Sequence, residues 1–350
     1  MFTRTLLCCS LAGYAVATAT YAQAPAAPAG GEYDTVVVAP KPEEPGRIIM
    51  TGRVVDYTGA ALTIELSSGK QTIPGKRIVE IRTRQTAEEL AGEELWRKRE
   101  YDNALAKFQA AFAAEQRRWV RRKLQARIVD CLRENEQWQS AAEHFMLLLR
   151  DDPTTPYFGS LPLPWATLFP DAALEAKAKS WAAGRTNSAA ALWGAAVLLS
   201  TPARADGIAR LRELMLDGDP RIALSAEAQL WRTSTVTADA AAVEAWEKKL
   251  DKIPADLAAG PTFVVGRAWG QRNAYERAAL LLMRVPILHA EQHDLAAEAL
   301  WSGGQMLESL DRLSDAAELY RELRRDYPTA TFATQAGDRL KELEAKLPKN

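Results

Sequence analysis

The side chains best suited to catalysis or metal binding are few and widely spaced. The 350-residue chain has three histidines and three cysteines. His289 and His293 are four residues apart, so a helix would bring both imidazoles to one face, where they could share a metal ion. Their order, His-Ala-Glu-Gln-His, differs from the His-Glu-x-x-His order of zinc proteases, and Pro286 disfavours a regular helix just before them. We therefore interpret them as packing or surface histidines and predict no metal site.

No other motif indicates a reaction. The sequence has no phosphate-binding glycine loop and no Gly-x-Ser-x-Gly nucleophile turn. Its acids and bases are spread along predicted helices, as on solvated faces. We predict that the protein is not an enzyme and has neither catalytic residues nor a cofactor.

Five basic residues form the densest cluster of charge. They are Arg117, Arg118, Arg121, Arg122 and Lys123. On a helix the first four would share one side, where they could dock an acidic protein, an anionic lipid head group or a wall polymer. We favour the alternative, an ordinary face paired with acids of the next helix. The formal net charge of -1 argues against a nucleic-acid partner.

The first residues have the pattern of a secretory signal peptide. Residues 1–24 combine a positive charge at Arg4, an apolar run from Leu6 to Ala19, and small residues near Ala24. We predict export to the periplasm or cell envelope, where association with a membrane surface would also be open to the protein.

Loss of this leader would leave one cysteine. Cys8 and Cys9 lie within it, so Cys131 would be the only cysteine of the mature chain. An intrachain disulfide is then excluded. Cys131 lies in an apolar stretch, and we expect a buried core residue rather than a reactive thiol.

The next two segments differ in their pattern. Residues 25–46 are rich in Pro, Ala and Gly, which predicts a disordered linker; within it, Thr35–Val38 could form an edge strand, but we favour a disordered tail. Residues 47–84 alternate apolar and polar side chains, as at Leu62 and Ile64, and predict a small β module of three or four antiparallel strands. The module loosely resembles SH3-like or Sm-like barrels, and its size requires it to pack on the first helices or on a partner.

The remaining chain has a helical period with a repeating pattern of small and aromatic residues. Counted from Ala297 as position 1, the pattern places Gly304 at 8, Leu307 at 11, Ala316 at 20, Tyr320 at 24 and Pro328 at 32. Comparable counts start at Gln85, Arg122 and Ala259. The pattern resembles the tetratricopeptide repeat, a 34-residue helical hairpin. Phe332, Ala336 and Leu340, following Tyr327-Pro328, make it similar to the envelope members in the Tol-Pal and outer-membrane assembly systems.

This resemblance implies a mainly α, TPR-like helical solenoid behind the small N-terminal antiparallel β module. We predict repeats at 85–156 and 259–328, a capping helix and tail at 329–350, and degenerate helical repeats at 157–258. Within residues 157–258 we predict helices at 172–183, 188–199, 205–216, 221–232 and 239–251. The Pro- and aromatic-rich segment 157–170 is interpreted as a structural connector, with a lid over the groove as the alternative.

The family resemblance also implies which side chains face the groove. Positions 5, 9, 12 and 13 of the first helix of a repeat tend to do so. On that basis the binding candidates are Glu93, Trp96, Arg97, Arg267, Gln271, Trp301, Gln305 and Glu308.

We predict an exported adaptor or scaffold that binds protein partners in the cell envelope by holding a helix or an extended peptide in the groove. One alternative is a structural protein that self-associates through Val36–Val38 or the β module. A second alternative is a carbohydrate-binding helical-repeat protein that uses Tyr157 and Trp165.

Overall fold

The structure is a computed structural model that describes residues 33–40, 46–166 and 168–346. These residues form a five-stranded antiparallel sheet followed by fourteen α-helices. This confirms the predicted fold class, mainly α with a small N-terminal antiparallel β module. The predicted leader, residues 1–24, lies outside the described residues.

The sheet is larger than predicted because it recruits part of the predicted linker. Its strands are β1 Asp34–Val38, β2 Ile48–Tyr57, β3 Ala61–Leu66, β4 Gly69–Pro74 and β5 Ile78–Arg82. They pair in the order β4-β3-β2-β1-β5, so β1 lies inside the sheet and pairs with β2 and β5. The prediction of a disordered tail is therefore wrong for β1, and so is that of an edge strand. The physical reason is that Val36 and Val38 are buried in the core, which offsets the ordering of the segment.

The sheet shares its hydrophobic core with the first helices. Leu62, Ile64 and Val54 belong to the same cluster of buried side chains as Phe108 and Leu124. This arrangement follows from alternation along β3, which turns Leu62 and Ile64 to one face. The β module thus packs on the first helices of its own chain, which is one of the two arrangements predicted for it.

The helices follow one another with short connections, except for the long connector between α4 and α5. They are α1 Ala87–Arg97, α2 Tyr101–Ala114, α3 Arg118–Glu134, α4 Trp138–Asp151, α5 Ala172–Ala183, α6 Ser188–Leu198, α7 Arg204–Leu214, α8 Pro220–Ser234, α9 Ala240–Leu250, α10 Ala259–Gly270, α11 Tyr275–Leu288, α12 His293–Ser309, α13 Leu313–Asp326 and α14 Ala333–Glu344. Most of them pack against their neighbours in sequence. Within the described ranges, no helix combines the length and apolar character that a bilayer crossing requires.

Glycines let the two helices of a hairpin come close together. A Cβ atom on Gly92 of α1 would lie 2.8 Å from the Phe108 ring of α2. In the hairpin of α12 and α13, Gly304 faces the ring of Tyr320 in the same way. The larger side chain fills the space that the glycine leaves, as the repeat pattern predicted.

The turns of four hairpins contain one residue in the left-handed region of backbone space. These residues have φ of 58° to 63° and are Arg99, Glu136, Asn273 and Asp311. Each occupies position 15 when the repeats are counted from Gln85, Arg122, Ala259 and Ala297. Four hairpins therefore reverse direction by the same backbone device.

The connector between α4 and α5 is buried along part of its length. Phe158, Leu161 and Leu163 belong to the core cluster. The Pro164 carbonyl accepts a hydrogen bond from Gln229 Nε2 at 3.3 Å, and the Ala166 carbonyl accepts one from Arg232 Nη2 at 3.3 Å, so α8 fixes this segment. The contacts agree with the structural-connector interpretation of 157–170.

The shared turn geometry predicts a position where glycine is better than the native side chain. Asp311 is exposed and has φ of 58°. Asp311→Gly should raise the free energy of unfolding by up to about 1 kcal/mol, because relief of left-handed strain exceeds the entropy cost of glycine. Urea unfolding measures the change.

The matched control lies in the same hairpin. Gln305→Gly, at an exposed position inside α12, should lower the free energy of unfolding by about 1 kcal/mol. If both glycine variants are destabilised equally, the left-handed turn does not carry the strain assigned to it.

Candidate functional site

Side chains from the first and last repeats meet at the start of α12. The Tyr101 hydroxyl and His293 Nδ1 form a hydrogen bond across 192 positions of sequence. The His293 ring centroid lies 5.2 Å from that of Trp96 and 6.2 Å from that of Tyr327, over which the guanidinium of Arg99 lies at 4.1 Å. These contacts join the two ends of the helical stack. We call this group the closing cluster.

The closing cluster holds a neutral imidazole. Burial, reinforced by the nearby guanidinium groups of Arg99 and Arg133, lowers the pKa of His293 to about 3. The neutral ring can accept the proton of the Tyr101 hydroxyl at Nδ1, which places its own proton on Nε2. Burial also raises the pKa of Glu134 to about 7, even though Arg133 Nη2 donates to its Oε1 at 2.9 Å. Both groups disfavour the charged form because water is excluded around them.

A cavity of about 660 Å³ lies beside the closing cluster, a volume suited to a small ligand or a few peptide residues. It is bounded by the end of α3, the start of α4, the connector before α5, the first turns of α12 and the segment before α14. We call it the acidic cavity. Its lining residues include Arg133, Glu134, Glu136, Trp138, Trp165, Leu168, Phe169, Asp171, Leu174, Asp294, Leu295, Glu298 and Phe332.

Negative charge dominates the lining. Five carboxylates and one guanidinium line the acidic cavity, and the guanidinium, that of Arg133, is already paired with Glu134. Enclosure by protein raises the pKa of Asp294 and of Glu298 above the ordinary values for carboxyl groups. A cation inside the cavity would offset the cost of ionising Asp294, and it would add to the 3.4 Å contact that Glu298 makes with Arg267. The cavity is therefore suited to a positively charged group.

The remaining wall of the acidic cavity is aromatic and aliphatic. Trp138, Trp165 and Phe332 contribute rings, and Phe169 at its border is 90% exposed. Aromatic faces attract ammonium and guanidinium groups as well as apolar side chains. A lysine or arginine flanked by apolar residues thus has complementary surfaces here.

The predicted groove residues of the first repeat are engaged within the chain. Trp96 is only 5% exposed and lies between the ring of His293 and the guanidinium of Arg127, which is 4.4 Å from its ring centroid. Its prediction as an anchor for a partner is wrong in this structure, because it packs in the closing cluster. Glu93 forms a two-point pair with Arg127 at 2.8 and 3.0 Å, and Arg97 is exposed.

The predicted groove residues near the C-terminus also have internal partners or lie apart. The Trp301 ring stacks on Phe332 at 5.7 Å, and Glu308 accepts hydrogen bonds from Arg339 and from the Tyr320 hydroxyl. Gln271 and Gln305 are exposed, and Arg267 lines a second cavity, described below. None of the eight predicted residues lines the acidic cavity.

The basic cluster joins the β module to the helices. Arg122 is 4% exposed and bonds Asp151 at 2.6 Å, Asp56 at 2.9 Å and the Tyr57 carbonyl at 2.8 Å. The other four members also contact acidic side chains or rings of this chain. Arg117 pairs with Glu115, Arg118 with Asp151 and Lys123 with Glu89, while Arg121 covers the ring of Phe112. The cluster is thus paired within the chain, but only Asp151 lies on the next helix, and the other partners lie on β2, on α1 and just before α3.

The histidines and the cysteine are placed as packing residues. His289 follows α11 and His293 begins α12, so the two do not share a helical face. The described part of the chain contains no group of three or more His, Cys, Asp or Glu side chains arranged around a metal ion. Burial raises the pKa of Cys131, which is fully buried, as its apolar neighbours predicted.

Sequence reasoning missed the carboxylates of the acidic cavity. Asp171 caps α5 and is distant in sequence from Asp294 and Glu298, which lie one helical turn apart on α12, and the repeat positions assigned to the groove include none of the three. A signal did exist for two lining residues. Arg133 and Glu134 are positions 12 and 13 of the repeat counted from Arg122, positions that the resemblance places toward the groove.

Comparison with known proteins finds no family model that matches the chain and no significantly similar curated protein.

The lowered pKa of His293 predicts acid sensitivity of the closing cluster. His293 contributes its full stabilisation above its ordinary pKa of 6.5, and this is lost as the pH falls toward about 3. Glu134, with its raised pKa, has the opposite effect: its contribution to stability is complete below pH 4.5 and is lost as the pH rises toward about 7.

A comparison of wild type with His293→Phe isolates the effect of His293. Below pH 6.5 the difference in unfolding free energy should shrink by at most about 1.4 kcal/mol per pH unit.

Urea unfolding at neutral and mildly acidic pH measures this difference. Tyr101→Phe is the control, since it removes the hydrogen bond without removing a group that titrates in this range. Its cost of about 1 kcal/mol should be the same at both pH values. A pH-independent difference for His293→Phe would contradict the assignment of a neutral, buried imidazole.

The buried guanidinium of Arg122 predicts a large contribution to docking of the β module. Arg122→Met leaves Asp56 and Asp151 without this partner and should lower the unfolding free energy by about 2 kcal/mol or more. Arg118→Met is the control, because Arg118 is 65% exposed and also pairs with Asp151. It should cost under about 1 kcal/mol. Equal losses in the two variants would argue against the docking role.

Proposed function

We propose that this protein is a non-catalytic adaptor that binds a segment of another protein in the acidic cavity. The observation that carries the proposal is the combination of carboxylates with aromatic side chains around about 660 Å³. Such a cavity selects a basic residue flanked by apolar ones, because the cation compensates Asp294 and Glu298 while its neighbours cover Trp138 and Phe332.

The architecture supports a binding role. Helical hairpins that stack in sequence form an extended scaffold, and such scaffolds hold peptides and helices along their inner surfaces. The closing cluster fixes α12 relative to α1 and α2, so the walls of the acidic cavity are held in place before a ligand arrives. A preorganised wall lowers the entropy cost of binding.

We further propose that the adaptor is a tetratricopeptide-repeat protein that acts in the cell envelope. The repeat spacing and the glycine-to-ring contacts of its hairpins support the first part, and the leader-like pattern of residues 1–24 supports the second. Its partners would be proteins of that compartment.

One route of self-association is inconsistent with the sheet. Pairing between chains through Val36–Val38 requires a free strand edge, but β1 pairs with β2 on one side and with β5 on the other. We therefore do not retain this route.

A selection from a random peptide library displayed on phage tests the proposal. The mature protein is the bait, with counter-selection on the double variant Asp294→Asn/Glu298→Gln. Enriched peptides should carry Lys or Arg beside aromatic or aliphatic residues. Synthetic copies should bind the double variant at least about tenfold more weakly in calorimetry, because charged hydrogen bonds are removed.

The matched control makes the same change in net charge at two positions that do not line the cavity. Asp206→Asn/Glu276→Gln alters two exposed acids on α7 and α11 and should bind the peptides as tightly as wild type. Failure to enrich any basic peptide, or equal weakening by both double variants, would count against the acidic cavity as the binding site.

A further inference from the structure

A second cavity also borders the connector and has the opposite charge. Its volume is about 340 Å³, and it shares Trp165, Ala166, Leu168 and Phe169 with the acidic cavity. We call it the basic pocket. Its remaining lining residues are Leu199, Ser200, Arg204, Arg232, Thr233, Thr235, Phe263, Val264 and Arg267.

Three guanidinium groups line the basic pocket, and no carboxylate does. Arg204 lies on α7, Arg232 on α8 and Arg267 on α10, so three helices bring the charges together. Burial, together with repulsion by Arg204 and Arg267, lowers the pKa of Arg232 to about 10. Because Arg204 and Arg267 add to the effect of burial, the three guanidinium groups are close enough to repel one another.

The contacts of these arginines within the chain are mostly with neutral acceptors. Arg232 donates to Gln229 Oε1 at 2.6 Å and to the Ala166 carbonyl, and Arg204 donates to the carbonyls of Leu199 and Thr233 at 3.2 and 3.3 Å. Among the described residues, the only carboxylate within salt-bridge distance of any of the three is that of Glu298, whose Oε1 lies 3.4 Å from Arg267 Nη1. Two of the three positive charges therefore remain without a counter-charge from the described chain.

We propose that Arg204, Arg232 and Arg267 form a binding site for the phosphate group of a small soluble phosphate ester. A phosphate monoester carries close to two negative charges at neutral pH and three acceptor oxygens, which matches the uncompensated charge and the number of guanidinium groups. A carboxylate carries one charge and would satisfy only part of the site. The hydroxyl of Ser200 also lines the pocket, whereas those of Thr233 and Thr235 donate to the backbone carbonyls of Leu230 and Arg232.

The pocket also indicates the rest of the ligand. Phe263, Val264 and Leu168 supply an apolar wall beside the arginines. A volume of about 340 Å³ is at the lower end of small-molecule sites and holds more than a phosphate ion alone. An ester with a compact ring or a short carbon chain fits both the charged and the apolar parts.

Isothermal titration calorimetry with the full mature chain tests this proposal, using inorganic phosphate, phenyl phosphate and acetate against chloride at constant ionic strength. We expect saturable binding of phosphate, tighter binding of phenyl phosphate, and weaker binding of acetate. Each of Arg204→Gln and Arg267→Gln should weaken phosphate binding about tenfold, because one charge-assisted contact is lost. Both side chains are exposed, so these variants test the site even if Arg232→Gln perturbs the fold.

Arg212→Gln is the matched control, since Arg212 is an exposed arginine on the same helix as Arg204. It should bind phosphate as wild type does. The proposal is overturned by an absence of saturable phosphate binding, by acetate binding as tight as that of phosphate, or by equal weakening in Arg212→Gln. Because the probes and variants differ from those used for the acidic cavity, failure here leaves the peptide-binding result unaffected.

Discussion

The structure depends on one constraint, which is that a helical hairpin cannot cover its own apolar face. Each hairpin must pack against the next, and close packing requires a small residue where the two helices approach. Gly92 opposite Phe108 and Gly304 opposite Tyr320 satisfy this requirement near the two ends of the chain. At the N-terminus the exposed face is covered by the sheet, whose buried valines and isoleucines continue the same core. At the C-terminus, α14 covers the last hairpin with Ala336, Leu340 and Leu343.

The positions of the charged side chains follow from how the helices and the sheet pack. The basic residues of α3 are used inside the molecule, where Arg122 links β2 to the end of α4. The closing cluster excludes charge from its imidazole and so acts as an apolar contact with hydrogen-bonding groups. Most of the remaining carboxylates and guanidinium groups line two cavities that share residues of the connector. One cavity has mainly acidic walls and the other has basic walls, and the pair of Glu298 with Arg267 links them.

Much of the fold was accessible from periodicity. The predicted helices at 172–183 and 188–199 correspond to α5 Ala172–Ala183 and α6 Ser188–Leu198, because proline, glycine and capping residues mark their ends. The candidate site was not accessible in the same way. Trp96 was predicted to face the groove from its repeat position, but the ring of His293 on α12 packs against it. Strand β1 was considered only as an edge strand and a disordered tail was favoured, because three consecutive valines in a Pro- and Ala-rich segment give no period.

The amino-acid sequence alone specifies the local units, namely the strand pattern of the β module, the hairpins and the small-to-large contacts within each hairpin. These depend on residues within about one repeat of each other, so spacing alone specifies them. Which of these units contact one another depends on the three-dimensional packing of the whole chain. Tyr101 and His293 are 192 positions apart, and Arg204, Arg232 and Arg267 come from three helices. Such contacts depend on the accumulated rotation and translation along the stack, and no spacing within one repeat encodes that sum.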